Sequence, residues 1–417
     1  MKLRSIHLLV FGGITLILCA GKIEPEKPTD QEKSSDLAFQ CTAPIEIIGE
    51  IPVPPPGGVV TVTTFANAIN SSGQVVGHQH EKIDNGITIT ETRKAYVSDD
   101  GVTLDFFAPN DSSYARGIDG SIVVGNLDGS NNPLAFYYDL ASQDDLVYIN
   151  EDDGTATYEA YDIHYENPVN DTSTINIVGY GMLFSDGIIK AFMYTSDDDC
   201  SFLDAPFVSE ARAINNQNIV VGNYSIDTVF NFPHAFVYNH ERTPSLIDLG
   251  YFSVYAAYES FALDINDQNV VVGATEISVT TELRAFWFDT DVPLHSAQME
   301  IMDCITDTIG TLCPVEALAI NNADFIVGSG SYTPEPTSRD EAFLYDKNND
   351  ALYNLNDLID DASWRLEEAT DINDSGWIVG NGTRNGQGRA FKLHCSYENA
   401  NYLPVVLKNF WNAILRR

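Results

Sequence analysis

The sequence predicts an all-β protein: a seven-bladed β-propeller of four-stranded blades, with the ring closed by an N-terminal strand in the last blade. Three observations lead to this prediction. A motif with a period of roughly fifty residues recurs seven times along the 417-residue chain. The segments between turns are short and rich in β-branched and aromatic residues, which favour strands. One extra strand precedes the first repeat, and the seventh repeat lacks a fourth strand of the usual form.

Each copy of the repeat reads small-x-x-Ile-Asn, a short turn, Val-Val-Gly, a variable gap and Ala-Phe-x-Tyr, with conservative exchanges. In the first copy these parts occupy residues 66–70, 75–77 and 95–96, and the steps between successive motif glycines range from 43 to 55 residues. This length, with this pattern, excludes a two-helix repeat. The seven copies fall near residues 60–108, 111–150, 157–205, 208–250, 258–303, 314–360 and 366–395.

The motif supplies three strands in each repeat, and a fourth strand follows the Ala-Phe strand. Examples of the fourth strand are residues 103–107, 246–249 and 352–355. Four strands in one repeat of this length are the composition of a propeller blade.

An Asn or Asp follows the Ile in six of the seven copies, where the first strand turns into the second. An Asn side chain can hydrogen-bond the backbone of a turn, and these residue types dominate tight turns. The third copy has His164 at this position. We expect turn chemistry here, and the alternative is a ring of ligands.

The cysteines provide an independent check on ring closure. The extra strand at 45–51 starts just after Cys41, and the third strand of the last repeat ends at Cys395. The end of a third strand lies beside the start of an antiparallel fourth strand. We therefore predict a Cys41–Cys395 disulfide, with the ~5.5–6 Å Cα separation typical of bridged cysteines. Cys304 and Cys313 form the second predicted pair, and Cys200 is left over, buried or free.

Residues 1–21 have the features of a signal peptide, with a positively charged start and an apolar stretch at 6–18 that is short for a membrane-spanning helix. Two interpretations stay open. Cleavage after Gly21 would release the protein, whereas a lipid anchor at Cys19 would retain it at the cell envelope. We therefore expect a secreted or cell-envelope protein, extracellular or periplasmic.

The rest of the chain divides into three parts. Residues 22–40 are polar and rich in Pro and Glu, as in a disordered linker. The propeller is predicted over 41–397. Residues 398–417 form a C-terminal tail whose apolar part is too short to span a membrane, so we expect no transmembrane span.

The charge balance excludes some classes of partner. Asp and Glu number 60 against 22 Lys and Arg, which gives a formal net charge of −38. Such a surface repels nucleic acid and disfavours anionic membranes. An acidic surface can attract cations, or it can serve only to keep the protein soluble. We expect a monomer.

The Asn-turn-Val-Val-Gly pattern followed by Ala-Phe, above all His234-Ala235-Phe236, resembles the bacterial extracellular HAF repeat family. The resemblance covers roughly residues 60–395. It implies an exported repeat protein of undefined activity and brings no catalytic residues with it. The residue before Ala-Phe differs in nearly every copy, which argues against a shared chemical role for that position.

Strand order predicts which loops share a face of the propeller. The turns from first to second and from third to fourth strand lie on one face, which we call the turn face. The longer loops from second to third strand and between blades lie on the other, the variable face. Function is expected on the variable face, because binding residues concentrate on variable loops. The candidate ligand-binding aromatics there are Tyr251, Phe252, Tyr255 and Tyr258.

Two groups of residues could hold a metal ion. His78 and His80 alternate along one strand of the first repeat, which points both rings to one side, with Glu81 and Asp84 nearby. Acidic loops offer hard oxygen donors suited to a structural calcium ion, with Asp128, Asn131 and Asp152 as candidate ligands. We expect no organic cofactor.

The sequence contains no Gly-x-Ser-x-Gly elbow, His-Glu-x-x-His helix or phosphate-binding loop. The leading hypothesis is an exported, non-enzymatic binding or surface-display module for carbohydrate or protein. A polysaccharide-acting enzyme with its site at the mouth of the central channel, which we expect to open on the variable face, is the second hypothesis, and a structural envelope protein is the third. A cluster of carboxylates, or of Tyr and His, converging at the channel mouth would favour the enzyme.

Overall fold

Strands with alternating buried and exposed side chains, joined by tight turns, fold into antiparallel sheets arranged as propeller blades. The computed structural model describes residues 39–49, 59–84, 88–99, 105–106, 112–128, 133–142, 145–149, 156–166, 174–183, 187–196, 199–205, 208–225, 232–250, 259–277, 282–290, 299–334 and 338–397. Within these residues 29 strands form seven sheets, and Phe39–Ser396 is one compact unit. The predicted seven-bladed all-β propeller is confirmed.

The first four blades each contain four consecutive strands, given from the innermost outward. Blade 1 comprises β2 (Val59–Ile69), β3 (Val75–Asp84), β4 (Ile89–Ser98) and β5 (Asp105–Phe106). Blade 2 comprises β6 (Ser112–Asp119), β7 (Ile122–Asp128), β8 (Pro133–Asp139) and β9 (Val147–Tyr148). Blade 3 comprises β10 (Ala156–Glu166), β11 (Thr174–Leu183), β12 (Ile189–Thr195) and β13 (Asp199–Phe202). Blade 4 comprises β14 (Ser209–Ile214), β15 (Val220–Ser225), β16 (Pro233–Tyr238) and β17 (Leu246–Gly250).

The last three blades complete the ring. Blade 5 comprises β18 (Ser260–Ile265), β19 (Val270–Glu276), β20 (Leu283–Asp289) and β21 (Glu300–Ile301). Blade 6 comprises β22 (Ile305–Thr306), β23 (Gly310–Ile320), β24 (Phe325–Pro334), β25 (Arg339–Asp346) and β26 (Ala351–Asn354), followed by a 3-10 helix at Leu355–Leu358. Blade 7 comprises β27 (Trp364–Ile372), β28 (Trp377–Arg384), β29 (Gln387–Tyr397) and, outside β29, the N-terminal β1 (Phe39–Ile48).

The hydrophobic core lies between neighbouring blades. The aromatic residue of every Ala-Phe motif is completely buried, and burying such a side chain stabilises a fold by about 1.5–3 kcal/mol. These seven residues are Tyr96, Phe136, Phe192, Phe236, Phe286, Phe343 and Phe391. Between blades 4 and 5, for example, Phe286 packs with Val221 and Met299.

Every inner strand contains a β-bulge in the small-x-x-Ile motif. In blade 6, Ala317 faces Gly328 while Ala319 faces Val327, so the residue between the two alanines is extra. The bulge presses the inner-strand backbone onto the motif glycine. A Cβ on Gly328 would lie 1.9 Å from the carbonyl oxygen of Glu316, and the same distance is 1.9–2.1 Å in the other six copies. This close approach explains the glycine of Val-Val-Gly.

The ring is closed as the sequence predicts. β1 pairs with β29, and Cys41 is disulfide-bonded to Cys395 with a Cα–Cα distance of 4.0 Å. This disulfide is confirmed, and its Cα separation is shorter than the expected ~5.5–6 Å.

Blade 7 contacts blade 1 through the same bonds that join blades adjacent in the chain. The Ala390 amide donates to Thr64 Oγ1 at 3.1 Å, as the Ala235 amide donates to Ser260 Oγ at 2.8 Å between blades 4 and 5. The last and first blades are therefore in register with each other.

Blade 6 has one strand more than the sequence predicts. β22 pairs with the first residues of β23, and the predicted Cys304–Cys313 disulfide joins the two strands and is confirmed. The two-residue strand lies in a stretch without the repeat motif, which is why the repeat pattern does not reveal it. Cys200 lies in β13 and packs against the core between blades 2 and 3.

The predictions for the ends of the chain fall largely outside the described residues. They are the signal peptide, Cys19, most of the linker and the C-terminal tail. β1 begins at Phe39, so the last two residues of the predicted linker belong to a strand. No helix in the described part of the chain is long and apolar enough to cross a membrane.

Candidate functional site

The seven inner strands surround a central channel, and a cavity of about 430 Å³ opens where they end on the turn face. Its wall is formed by the Ile of each motif, by the Asn-position residue after it, and in six blades by the next residue. The cavity is thus lined by the same three motif positions in nearly every blade: the Ile, the Asn-position residue and the residue after it. Differences between blades at these positions determine its chemistry.

The motif Asn performs two tasks in most blades. Asn321 Oδ1 accepts hydrogen bonds from the amides of Ala323 and Phe325, which closes its own turn. Asn321 Nδ2 also donates to the carbonyl oxygen of Asn373 in the next blade at 3.1 Å. The predicted turn chemistry is therefore present, and an interblade bond accompanies it.

These interblade bonds form an arc over five blades. The donated bonds run in order from Asn215 to Asn266, Asn321, Asn373 and Asn70, and Asn70 then donates to Gly120. All five asparagines are buried. Because buried amides that are fully bonded have little capacity for a ligand, this arc serves as framework.

A second set of polar side chains lies at the rim, one residue further on. Asn216 Nδ2 and Asn322 Nδ2 both donate to Asp267 Oδ2, at 2.7 and 2.9 Å. Asn322 Nδ2 also donates to Asp374 Oδ2 at 3.0 Å. Asn216, Asn322 and Asp374 are exposed, so this rim presents amide and carboxylate groups to anything that enters the cavity.

The asparagine arc is interrupted in blades 2 and 3. Asp119 and His164 replace Asn there, and Asp119 Oδ2 accepts a bond from the Tyr165 amide at 2.8 Å. His164 Nδ1 lies 3.6 Å from Asp119 Oδ2, and its Nε2 lies 3.4 Å from Glu166 Oε1. The cavity wall therefore has a titratable side made of Asp119 and His164, with Tyr165 beside it, and Glu166 contacts His164 from outside the cavity lining.

His164 is held toward its charged form. Burial opposes the charge, but the neighbouring carboxylates of Asp119 and Glu166 outweigh it and raise the pKa of His164. A His flanked by two carboxylates can donate or accept a proton or hydrogen-bond a polar ligand. Among the seven Asn positions, only those of blades 2 and 3 carry titratable side chains, Asp119 and His164.

Three aspartates lie in the channel just inside the mouth. Asp162, Asp264 and Asp371 precede the motif Ile in blades 3, 5 and 7, where the other blades have Ala or Gly. Asp264 Oδ1 accepts from the Ile265 amide in its own blade, and Oδ2 accepts from the Ile320 amide in blade 6, both at 2.8 Å. Asp162 and Asp371 likewise accept the Ile amide of the next blade. Each carboxylate thus joins two blades.

These carboxylates are difficult to ionise. Burial raises the pKa of Asp162 to about 7 and that of Asp371 to about 6, against the opposing effect of the backbone amides. Burial also raises the pKa of Asp264, and the charges of Asp162 and Asp371 add to the effect. The three groups are therefore within electrostatic range of each other across the channel.

On the inner strands of blades 2 to 4, two arginine side chains make cation–π contacts with the same tyrosine ring. The Cζ atoms of Arg116 and Arg212 lie 5.3 and 4.3 Å from the centroid of Tyr161. Arg116 pairs with Glu159 at 3.5 Å and Arg212 with Glu210 at 2.6 Å. The charges of these side chains are therefore balanced in pairs.

The predicted ligand-binding aromatics are not placed by the structure. Tyr251, Phe252, Tyr255 and Tyr258 lie outside the described residues, and so do parts of the second-to-third strand loops of blades 1 to 6. A site on the variable face stays a prediction. The described cavity lies at the opposite end of the channel, on the turn face, whereas the mouth predicted from the sequence is the one on the variable face.

The candidate metal ligands are only partly placed. Asn131 and Asp152 lie outside the described residues, and Asp128 is an exposed residue at the end of β7. His78 stacks on Phe65 with ring centroids 4.7 Å apart, and burial, with Arg116 and Arg93, lowers its pKa to about 3. His80 Nε2 lies 3.5 Å from Glu91. Among the described residues, no three His, Cys, Asp or Glu side chains converge as a metal site.

Sequence reasoning missed Asp119, His164 and the three channel aspartates as a set. The signal was present as departures from the repeat: His in the third copy after Ile, and Asp before Ile in alternate copies. Aligning the copies and asking where they differ would have identified all five residues.

One family model, described as a protein of unknown function (DUF3466), matches residues 254–394, within blades 5 to 7. No curated protein matches the chain. The HAF resemblance stays a prediction.

Several solved structures are similar to the chain. An oligogalacturonate lyase in complex with manganese is 9% identical, with 87% of this chain and 97% of that chain covered and a TM-score of 0.49. The β-propeller domain of the Trilobed protease from Pyrococcus furiosus is 10% identical, with 81% and 98% covered and a TM-score of 0.46. The acylaminoacyl peptidase of Pyrococcus horikoshii is 8% identical, with 83% and 54% covered and a TM-score of 0.44. The chain spans about half the length of that peptidase.

Proposed function

We propose that this chain is an exported binding module that holds a neutral carbohydrate at the channel mouth, on the turn face. The observation that carries the proposal is the interruption of the asparagine arc at Asp119 and His164. Five blades use the Asn position for framework bonds, and these two blades leave it to side chains with other chemistry. Export is supported by the two disulfides, which persist in oxidising compartments.

Carbohydrate fits the chemistry of the mouth. A volume of about 430 Å³ is in the range of small-molecule sites. The exposed amides and carboxylates of the rim can receive and donate the many hydrogen bonds that sugar hydroxyls require. Tyr165 adds an aromatic ring at the wall, against which the apolar side of a sugar can pack. The acidic rim and the net charge of −38 disfavour anionic ligands.

The test uses the repeat itself as a guide to substitution. His164→Asn and Asp119→Asn give blades 2 and 3 the side chain that the other five blades have, so the variants should fold. The exported chain and the double variant are passed over a panel of immobilised neutral polysaccharides, with calcium or with EDTA. We expect retention of the native chain and at least about tenfold weaker binding of the double variant.

Asp340→Asn is the matched control, because Asp340 is an exposed carboxylate in β25, away from the cavity. It removes one charge and should leave binding unchanged. Equal binding by the double variant and the native chain would contradict a site at the mouth. Loss of retention in EDTA alone would support the predicted structural calcium ion.

A polysaccharide-acting enzyme is the second candidate, because a His flanked by two carboxylates stands in the cavity wall. A His with a raised pKa is suited to act as a general acid near neutral pH. The same panel separates the two functions when the soluble fraction is analysed for released saccharides. Products that disappear in His164→Asn would favour the enzyme, whereas retention without products would favour the binding module.

A further inference from the structure

A second cavity, which we call the 1–2 groove, lies between blades 1 and 2. Its volume is about 440 Å³ and it is lined by Gln74, Val97, Asp99, Asp105, Phe106, Tyr138 and Leu140. Gln74 follows the first-to-second turn of blade 1, Asp99 follows β4, and Leu140 follows β8. All three positions belong to the turn face, so the groove and the channel mouth open on the same side.

The groove exists because this blade interface is underfilled. The third-strand residue after the motif aromatic is Val97 in blade 1, whereas blades 2, 3 and 5 have larger side chains there: Tyr137, Met193 and Trp287. Blade 4 also has a valine, Val237, but there Phe288, Met299, Leu249 and Ile301 pack into the interface. Among the described residues, the core between blades 1 and 2 is joined by Leu140, while Phe136 and Tyr138 of blade 2, the counterparts of Phe286 and Phe288, pack in a separate small cluster.

The lining of the groove is amphipathic. Phe106 and Tyr138 supply aromatic surface, and Phe106 is 38% exposed although it is a large apolar side chain. Exposed Asp99 and Asp105 and the amide of Gln74 stand beside these rings. Aromatic surface next to side chains that accept hydrogen bonds suits a sugar ring, which has one apolar side and a polar edge.

Gln74 connects the groove to the channel mouth. Its Oε1 accepts a hydrogen bond from Asn70 Nδ2 at 2.8 Å, at the end of the asparagine arc. Its Nε2 donates to Asp99 Oδ1 in the groove at 2.7 Å. The side-chain amide of Gln74 therefore contacts residues of both the mouth and the groove, and no blade separates the two cavities.

We propose that the 1–2 groove is a second subsite for the same neutral polysaccharide, so that one chain of sugars runs from the channel mouth across Gln74 to Phe106. This inference rests on the proposed function of the mouth. It predicts that affinity depends on saccharide length, because a disaccharide occupies one subsite whereas a longer chain reaches both. Two linked sites raise the overall affinity without new contacts at either one.

The experiment measures binding of the full exported chain to size ladders of malto-, cello- and laminari-oligosaccharides, from disaccharide to octasaccharide. In the ladder that binds, we expect affinity to rise by about tenfold or more with length. Phe106→Ala should abolish the rise and leave disaccharide binding unchanged. Tyr148→Ala is the matched control, since Tyr148 is an exposed aromatic residue in β9 that does not line the groove.

Asp99→Asn is a second variant, which keeps the size of the side chain and an oxygen for Gln74. It should reduce octasaccharide binding without affecting the disaccharide. Two outcomes overturn the groove subsite and leave the proposed function of the mouth intact. In one, the disaccharide binds but affinity does not increase for longer oligosaccharides. In the other, the increase with length is retained in Phe106→Ala. No binding by any ladder overturns both. Salt-dependent binding of glucosamine oligomers that is unaffected by Phe106→Ala overturns the assignment to a neutral sugar.

Discussion

Asparagine suits the end of an inner strand because its side chain can both accept and donate hydrogen bonds. Its oxygen accepts two backbone amides of its own turn, and its amide donates to the neighbouring blade. An ionised Asp can accept but cannot donate, which is why Asp119 in blade 2 accepts an amide from blade 3 instead. The identity of one residue thus determines which kind of hydrogen bond joins a blade to the next.

At this scale we predict that Asn321→Ala lowers the free energy of unfolding by about 2–4 kcal/mol, because two turn amides and one carbonyl lose their buried partner. Asn321 is 4% exposed, so its hydrogen bonds are largely shielded from solvent. The measurement is urea denaturation followed by tryptophan fluorescence. Asn322→Ala is the matched control, because Asn322 is exposed and should cost about 1 kcal/mol or less. Equal losses in the two variants would contradict the framework role.

The sequence predicts the turn-forming half of this role. Asn at a strand end followed by Ser-Gly or Asp-Gln is a local signal, readable from one repeat. The donated bond is a contact between residues that are about fifty positions apart, as the 52-residue separation of Asn321 and Asn373 illustrates. A single sequence contains no signal for such a contact.

The inner strands are edge strands that face a channel, and their unpaired amides need partners. Asp162, Asp264 and Asp371 provide these partners for pairs of blades, from 3 to 4, 5 to 6 and 7 to 1. Three carboxylates in one channel repel each other when ionised. Burial and this repulsion disfavour the ionised carboxylates more than the amide bonds favour them, so the ring is most stable when the carboxyls are protonated.

A pH dependence of stability follows from this arrangement. Burial raises the pKa of Asp371 from the ordinary value of 3.8 to about 6. The folded state thus holds its proton more tightly than the unfolded state. The stabilisation is fully present below about pH 4 and is lost as the pH rises through about 6. We expect the unfolding free energy to fall by a few kcal/mol between about pH 4 and pH 8, with on the order of 2 kcal/mol from Asp371.

Asp371→Asn should flatten this pH profile, whatever its effect on absolute stability. Asp374→Asn is the matched control, because it removes one charge from the exposed rim three residues away and should leave the slope unchanged. The profile is obtained from denaturant midpoints at several pH values. A slope that Asp371→Asn does not alter would show that the titration lies elsewhere.

The strands were predicted more accurately than the bulges within them and the extra strand of blade 6. Period, strand composition and turn residues identify the strands, because these signals are local. The bulge in each inner strand and the two-residue β22 were not predicted. A bulge is an interaction between two strands, and Gly in Val-Val-Gly is its only local trace. The residues of the cavity were not predicted because they lie on separate blades about fifty positions apart in the chain, and only the closed ring brings them together.

At the scale of the whole molecule, ring closure depends on one strand and one disulfide. The Cys41–Cys395 bond joins residues 354 positions apart, whereas Cys304–Cys313 joins residues 9 apart. A crosslink that closes a longer loop removes more entropy from the unfolded chain. The two bonds are thus expected to differ in their contribution to stability.

We predict that replacing Cys41 and Cys395 with Ala costs about 5 kcal/mol of unfolding free energy, against about 3 kcal/mol for the Cys304 and Cys313 pair. The measurement is chemical denaturation of both double variants beside the native protein. A smaller loss for the Cys41–Cys395 pair than for the Cys304–Cys313 pair would show that β1 stays bound to β29 through other contacts.

Closure of the ring was predictable from the sequence because the last repeat lacks a strand that the first residues can supply. The position of the cavity was not. Loop length indicated the variable face, whereas the described cavity depends on side chains at the ends of seven separate strands. Their convergence is a property of the closed ring and of no single repeat.

Closure by β1 also imposes an order on biosynthesis. β1 is synthesised before every other strand of the propeller, and its partner β29 is synthesised after all of them. The nascent chain must therefore keep β1 unpaired, with an open edge, until the seventh blade emerges. A chain truncated anywhere before β29 cannot bring Cys395 to Cys41. Formation of that disulfide is consequently a chemical record that translation of the propeller has reached its last strand.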